Sequence, residues 1–368
     1  MEPVRIIKKD MFNIKISKEY KVYLLNTINI NKYPNYFDEF MLAYDEKTKD
    51  SAKKFYICID CEFNTKKIAL IQINFEEDKD GNIFILDPKI LSKKTLEILT
   101  YNILCNYRIS KIFHGADSLD IPYFFNDYFL NDKDLISKFM NNFVDTRFLC
   151  EYANAYNKLY KDSDENLCGI YHLYEKYQII NSEHVKYLDD NEKIMGHLYD
   201  IFIEIDKLSD ELLNYTMYDV VYLKYLYKRM IHDIGKEYHY VNEMVQLVYL
   251  DKRDIIKFVE KDKIDKYNIN YFFKDSKIIR LSEIIENNKI FKKISSNIFY
   301  TLYHVNYFKL NLNMMLKNIL YAKILRREKV FENKNTLQKN HINYNELFEK
   351  LKEHKLNNIL DLIKDVEL

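Results

Sequence analysis

The sequence predicts an α/β fold: a mixed β-sheet flanked by helices and followed by a mainly α-helical C-terminal domain. Three observations carry that expectation. Three short apolar runs, residues 55–62, 68–75 and 83–86, follow one another with only brief polar turns between them, as an antiparallel meander requires. Residues 91–107 then place apolar side chains at helical spacing, and 111–114 read as a further strand, which closes a β-α-β crossover. Beyond about Met230 no strand-like alternation persists. This order of elements makes a sheet with helices packed on it, divided into a leader (1–50), a central domain (51–230) and a helical, basic domain (231–368).

Composition narrows the class. The 368 residues are 48% hydrophobic, which suits a folded chain with ample core and excludes a disordered one. No apolar run approaches the ~18 residues that span a bilayer, and Met1-Glu-Pro-Val-Arg5 has no signal-peptide pattern, so a soluble intracellular protein is expected. The five cysteines are odd in number and irregularly spaced, which argues against a disulfide framework, and Cys58 and Cys61 read as reduced core thiols. Net charge is zero, yet residues 1–220 carry 28 basic and 37 acidic side chains while 221–368 carry 28 and 19. An acidic part that binds cations and a basic part that holds a polyanion would give that asymmetry.

Within the first strand the run Phe-Tyr-Ile-Cys-Ile-Asp60-Cys-Glu62 is interrupted by two acids. Side chains alternate along a strand, so Asp60 and Glu62 share a face and can both reach one cation, while Phe55, Ile57, Ile59 and Cys61 line the other. A second acidic group, His114-Gly-Ala-Asp117-Ser-Leu-Asp120-Ile-Pro122, follows the strand at 111–114 and opens a helix. Strand carboxyl ends are where such sheets gather their sites, and Gly115 allows the sharp turn. In the third group Ser209 caps a helix on which Tyr215 and Asp219 stand four apart on one face. Asp219 lies beside Val220, Val221 and Leu223, an apolar setting in which an acid needs a partner.

Taken together, Asp60-x-Glu62, the His114-Gly-Ala group and Tyr215-x-x-x-Asp219 resemble the DEDD superfamily of 3′-to-5′ exonucleases in its tyrosine-containing branch. The flanking segments Ala69-Leu-Ile-Gln-Ile73, Ile85-Leu-Asp-Pro88, Val144-Asp-Thr-Arg147 and Lys207-Leu-Ser-Asp-Glu211 are similar to those of ribonuclease D and the exosome-associated nuclear exonuclease. The resemblance covers residues 50–230 and implies a ribonuclease H-like sheet. It also implies two divalent cations, Mg or Mn, held by Asp60, Glu62, Asp120 and Asp219, with Tyr215 orienting or helping to deprotonate the attacking water. The implied partner is nucleic acid with a free 3′ end, single-stranded, trimmed to nucleoside monophosphates; RNA is favoured, with a DNA-directed exonuclease as the alternative that the sequence does not separate from it.

Two departures stand out. The family's second-motif acid lies five residues after His114, where this chain has Leu119; Asp120 is the better match and Asp117 the fallback. The Asp-Trp and Arg-Pro-Leu segment that precedes the third motif in the family is replaced by residues 195–206, and the chain has no Trp. The irregular second motif leaves open an exonuclease-fold scaffold that binds nucleic acid without cutting it. His114 is a candidate substrate contact. So are Lys323, Arg326 and Arg327, within a stretch (289–329) of nine basic residues and one acid interleaved with aromatics, which suits the phosphates and bases of a single strand.

Overall fold

The three apolar runs are strands because they are rich in β-branched and aromatic side chains. In the computed structural model, which describes residues 1–7, 18–50, 52–64, 67–116, 119–150, 168–195, 201–235, 238–252, 349 and 352–364, they form β3 (Phe55–Asn64), β4 (Lys67–Glu76) and β5 (Asp80–Leu86). They pair antiparallel in the expected meander. The crossover is also present: β6 (Ile109–Phe113) runs parallel to β3, and β7 (Phe143–Asp145) runs parallel to β6.

The N-terminal segment, expected as a leader, instead supplies two strands to the same sheet. β1 (Arg5–Ile7) pairs antiparallel with β2 (Glu19–Leu25), and β2 runs parallel to β5. The result is a mixed seven-stranded sheet in the order β1-β2-β5-β4-β3-β6-β7. Nothing in residues 1–50 marks them as sheet, because their mixed charge and aromatic pattern has no clean period of two.

Helices cover both faces. α1 (Thr27–Lys32) is capped by Asn26, and α2 (Tyr36–Lys49) lays Phe37, Phe40 and Tyr44 against Phe75 and Phe84, with ring centroids 4.8–6.4 Å apart. That aromatic layer is the core of one face, and such ring pairs add about 0.5–1.5 kcal/mol each beyond their burial. α3 (Lys93–Ile98) continues as a π-helical turn over Leu99–Leu104, and α4 (Asp120–Tyr123) is a single turn after β6. α5 (Lys133–Met140) leads into β7.

On the opposite face lie α6 (Ile170–Lys176), α7 (Ser182–Met195), α8 (Asp210–Val221) and α9 (Leu223–Ile234). α8 crosses β3, β4 and β5. Its side of the sheet is polar: Gln72, Asn74 and Glu76 alternate along β4 and are all buried, and Asn74 donates to the Val220 carbonyl.

The chain forms two compact units. One holds residues 1–123, 132–147 and 164–233, and therefore the whole sheet. The other holds 124–131, 148–163 and 234–368. In it α10 (Tyr238–Lys252) packs with α11 (Asn357–Lys364), and Glu243 accepts the Asn358 backbone N–H at 3.0 Å. The basic stretch with Lys323, Arg326 and Arg327 lies outside the described residues. Cys58 and Cys61 are free and buried, as expected, and so is Cys105, whereas Cys150 and Cys168 are disulfide-bonded, a correction to the expectation of no disulfide.

Candidate active site

Asp60 stands at the centre of the sheet, opposite Gln72 of β4, and Glu62 follows two residues on the same face. α8 brings the third acid. Ser209 caps it by accepting the Leu212 backbone N–H, which fixes the first turn, and Asp219 arrives near the other end, among the buried Met217, Tyr218, Val220 and Val221. Oxygens of Asp60, Glu62 and Asp219 come within 4.8 Å of one another. The helix and the strand thus gather three acids that lie 157 residues apart from Glu62 to Asp219 in the chain.

Asp120, at the start of α4, stands outside that trio. It is buried, its Oδ1 has no hydrogen-bond partner, and the Cys61 thiol hydrogen-bonds its carboxyl. Asp117 lies outside the described residues.

The electrostatics are those of like charges taken out of water. Burial, opposed by the Cys61 backbone N–H, pushes the Asp60 carboxyl up to about 7. Burial, then the charges of Asp60, Asp219 and Asp120, raises Glu62 far above the carboxylate range, although Gln72 Nε2 donates to its Oε1 at 3.2 Å. Asp219 and Asp120 are raised in the same way, by burial first and then by Asp60. Among the described residues none of the four forms a salt bridge. Such a set is either partly protonated or compensated by cations. Hard divalent cations prefer carboxylate oxygens, so the donor set, the close trio and the orphaned Asp120 oxygen fit them.

Tyr215 is close enough that Asp219 and Glu62, after burial, raise its phenol well above 10. Residues that sequence reasoning missed also face the acids: Tyr171 of α6 is raised by burial and then by Asp219 and Glu192, and Glu192 of α7 is itself among the charges acting on Asp219. With 33 tyrosines in the chain and no spacing to single them out, nothing in the sequence distinguishes them.

His114 has a different setting. Its Nδ1 lies 2.9 Å from Thr146 Oγ1, and the ring also hydrogen-bonds the Cys168 backbone. Burial, then the nearby Arg147 charge, holds it down to about 3, so the imidazole is neutral.

A mixed seven-stranded sheet flanked by helices, with two acids on β3 and a third brought to them by α8, is the ribonuclease H-like exonuclease fold of the DEDD superfamily. The model of the 3′-5′ exonuclease family matches residues 37–234, over half of the chain, and the chain belongs to that family. It is 31% identical over 376 residues to "Uncharacterized protein L533" of Acanthamoeba polyphaga mimivirus, covering 94% of this chain and 72% of that protein. Among solved structures it is similar to Trypanosoma brucei RNase D in complex with GMP, with TM-score 0.43 and 13% identity over 73% of this chain and 71% of that one. Brucella melitensis NrnC bound to pGG gives TM-score 0.34 and 14% identity over 61% and 93%. The Aedes aegypti Nibbler exonuclease domain gives 0.33 and 13% over 54% and 85%. Among the described residues no helix is long and apolar enough to cross a membrane.

Proposed function

We propose that the protein is a divalent-metal-dependent 3′-to-5′ exonuclease of the tyrosine-containing branch, acting on single-stranded RNA and releasing nucleoside monophosphates. The observation that carries this reading is the trio Asp60, Glu62 and Asp219, whose oxygens lie within 4.8 Å of one another in an exonuclease-family chain. The RNA preference rests on the ribonuclease D-like flanking segments alone. Asp60, Glu62 and Asp219, with Asp120 at the margin, would hold two Mg or Mn ions. When bound, these lower the pKa of a water and offset charge on the reacting phosphate.

The chain's own residues do the rest. Water attacks the terminal phosphorus, the P–O3′ bond breaks, and the 3′ oxygen of the shortened strand takes the proton. Tyr215 orients that water, or helps to deprotonate it, through its hydroxyl. Gln72 holds Glu62 in register by its 3.2 Å hydrogen bond.

The test is digestion of matched 5′-labelled RNA and DNA oligonucleotides with Mn2+ and with EDTA. A ladder of products shortened from the 3′ end, lost in EDTA and faster on RNA, supports the reading. A second reading, a scaffold that binds nucleic acid without cutting, draws on Asp120 standing apart from the trio. Tight binding of an oligonucleotide with no shortening under Mn2+ would establish it.

A further inference from the structure

The most completely bonded carboxylate near the site is one that the acidic motifs do not include. Asp145, the last residue of β7, is 2% exposed, and both of its oxygens are used. Oδ1 accepts the backbone N–H of Gly115 and of Arg147, and Oδ2 accepts that of Ala116, all at 2.9 Å. β6 and β7 are parallel neighbours with Phe113 opposite Asp145, so this carboxylate closes over the turn by which the chain leaves β6.

The grip passes directly to the second acidic motif. Ala116, held through its N–H, accepts the Ile121 backbone N–H through its own carbonyl at 3.0 Å, and Ile121 adjoins Asp120. Gly115 has φ +72, which favours glycine, and a Cβ there would sit 3.2 Å from Arg147 Cδ. The next residue of the same strand end completes the hold: Thr146 Oγ1 donates to the Phe113 carbonyl at 3.1 Å and meets His114 Nδ1 at 2.9 Å. The ring of His114 reaches on to the Cys168 backbone, two residues before α6 and its Tyr171.

We propose that Asp145 is a positioning residue of the active site. Its three backbone hydrogen bonds set the exit of β6 into α4 and so place Asp120 relative to the Asp60, Glu62 and Asp219 trio. His114 and Thr146 serve the same turn, which makes His114 a strut of the fold and not a substrate contact. This rests on the metal-dependent reading of the acids.

Asp145→Asn, Asp145→Ala and Thr146→Val are compared with wild type by Mn2+-induced shift of the melting temperature and by kinetics at varied Mn2+. Asn keeps one carbonyl oxygen for two donors but turns an NH2 toward Ala116, so the Mn2+ midpoint rises about 10-fold, the scale of lost outer-shell support. Ala shifts it further, and Thr146→Val by about 2–3-fold. The KM for the oligonucleotide stays within about twofold, because no contact to nucleic acid is removed. If the Asn variant and the Val variant both fold and bind Mn2+ with the wild-type midpoint, the clamp is overturned while the exonuclease reading stands. Wild-type protein that takes up no Mn2+ overturns the reading and the clamp together.

Discussion

Two buried polar clusters share the α8-facing side of the sheet and treat charge in opposite ways. One end of the β3–β4 pair carries Asp60, Glu62 and Asp219, acids with no basic partner among the described residues. Four residues along β4 from Gln72, about 13 Å at strand spacing, Glu76 is the hub of a satisfied network. Lys18 pairs with it in a buried salt bridge, Lys224 lies 3.7 Å away, and Tyr20 and Asn74 donate to Oε1 at 2.8 and 2.9 Å. Burial lowers Lys18, and Glu76 opposes that shift. The fold can evidently compensate a buried acid where only stability is at stake. Leaving a group of acids uncompensated is what makes the other end the candidate site for cations.

The contrast breaks most sharply in activity. Asp60→Ala or Asp219→Ala is expected to lower Mn2+-dependent trimming by on the order of 10³-fold or more, about 4 kcal/mol of barrier, while the melting temperature holds or rises. Trimming at the wild-type rate in either variant would end the assignment. Glu76→Ala should do the reverse: it leaves two buried lysines without their partner and costs about 3–5 kcal/mol in a denaturant melt. Residual activity per folded molecule should be unchanged.

The pH dependence sharpens the comparison further. A carboxyl raised in the folded state binds more protons there than in the unfolded chain, so without metal its contribution to stability falls as pH rises from about 4 to 7. Asp60→Asn should therefore gain about 2 kcal/mol on wild type between pH 5 and pH 8 in EDTA. Mn2+ should remove most of that advantage. A difference that does not change with pH would show that Asp60 ionises normally.

Lys111 gives the smallest effect. It is fully buried in β6, its Nζ donates to the Asn141 carbonyl, and burial lowers its ammonium to about 7. Between that value and 10.5 the unfolded chain binds more protons, so stability rises with pH across this window. Lys111→Met removes that ammonium but leaves the Asn141 carbonyl without its donor, so its stability relative to wild type should fall as pH rises from 7 to 10 in a denaturant melt.

Much of the site was legible because strand and helix periods are local. Alternation put Asp60 and Glu62 on one face, and the four-residue step put Tyr215 beside Asp219. The meander and the crossover followed from apolar runs and turn residues. The sequence by itself also carried the Ser209 cap and the family motifs. Local pattern is silent on partners distant in the chain. Only the tertiary structure showed that residues 5–7 and 19–25 join the sheet, that Tyr171 and Glu192 face Asp219, and that the Asp120 carboxyl meets Cys61. It also decided which buried acids meet lysines and which meet only each other, because ionisation depends on burial and on neighbours that folding alone brings together.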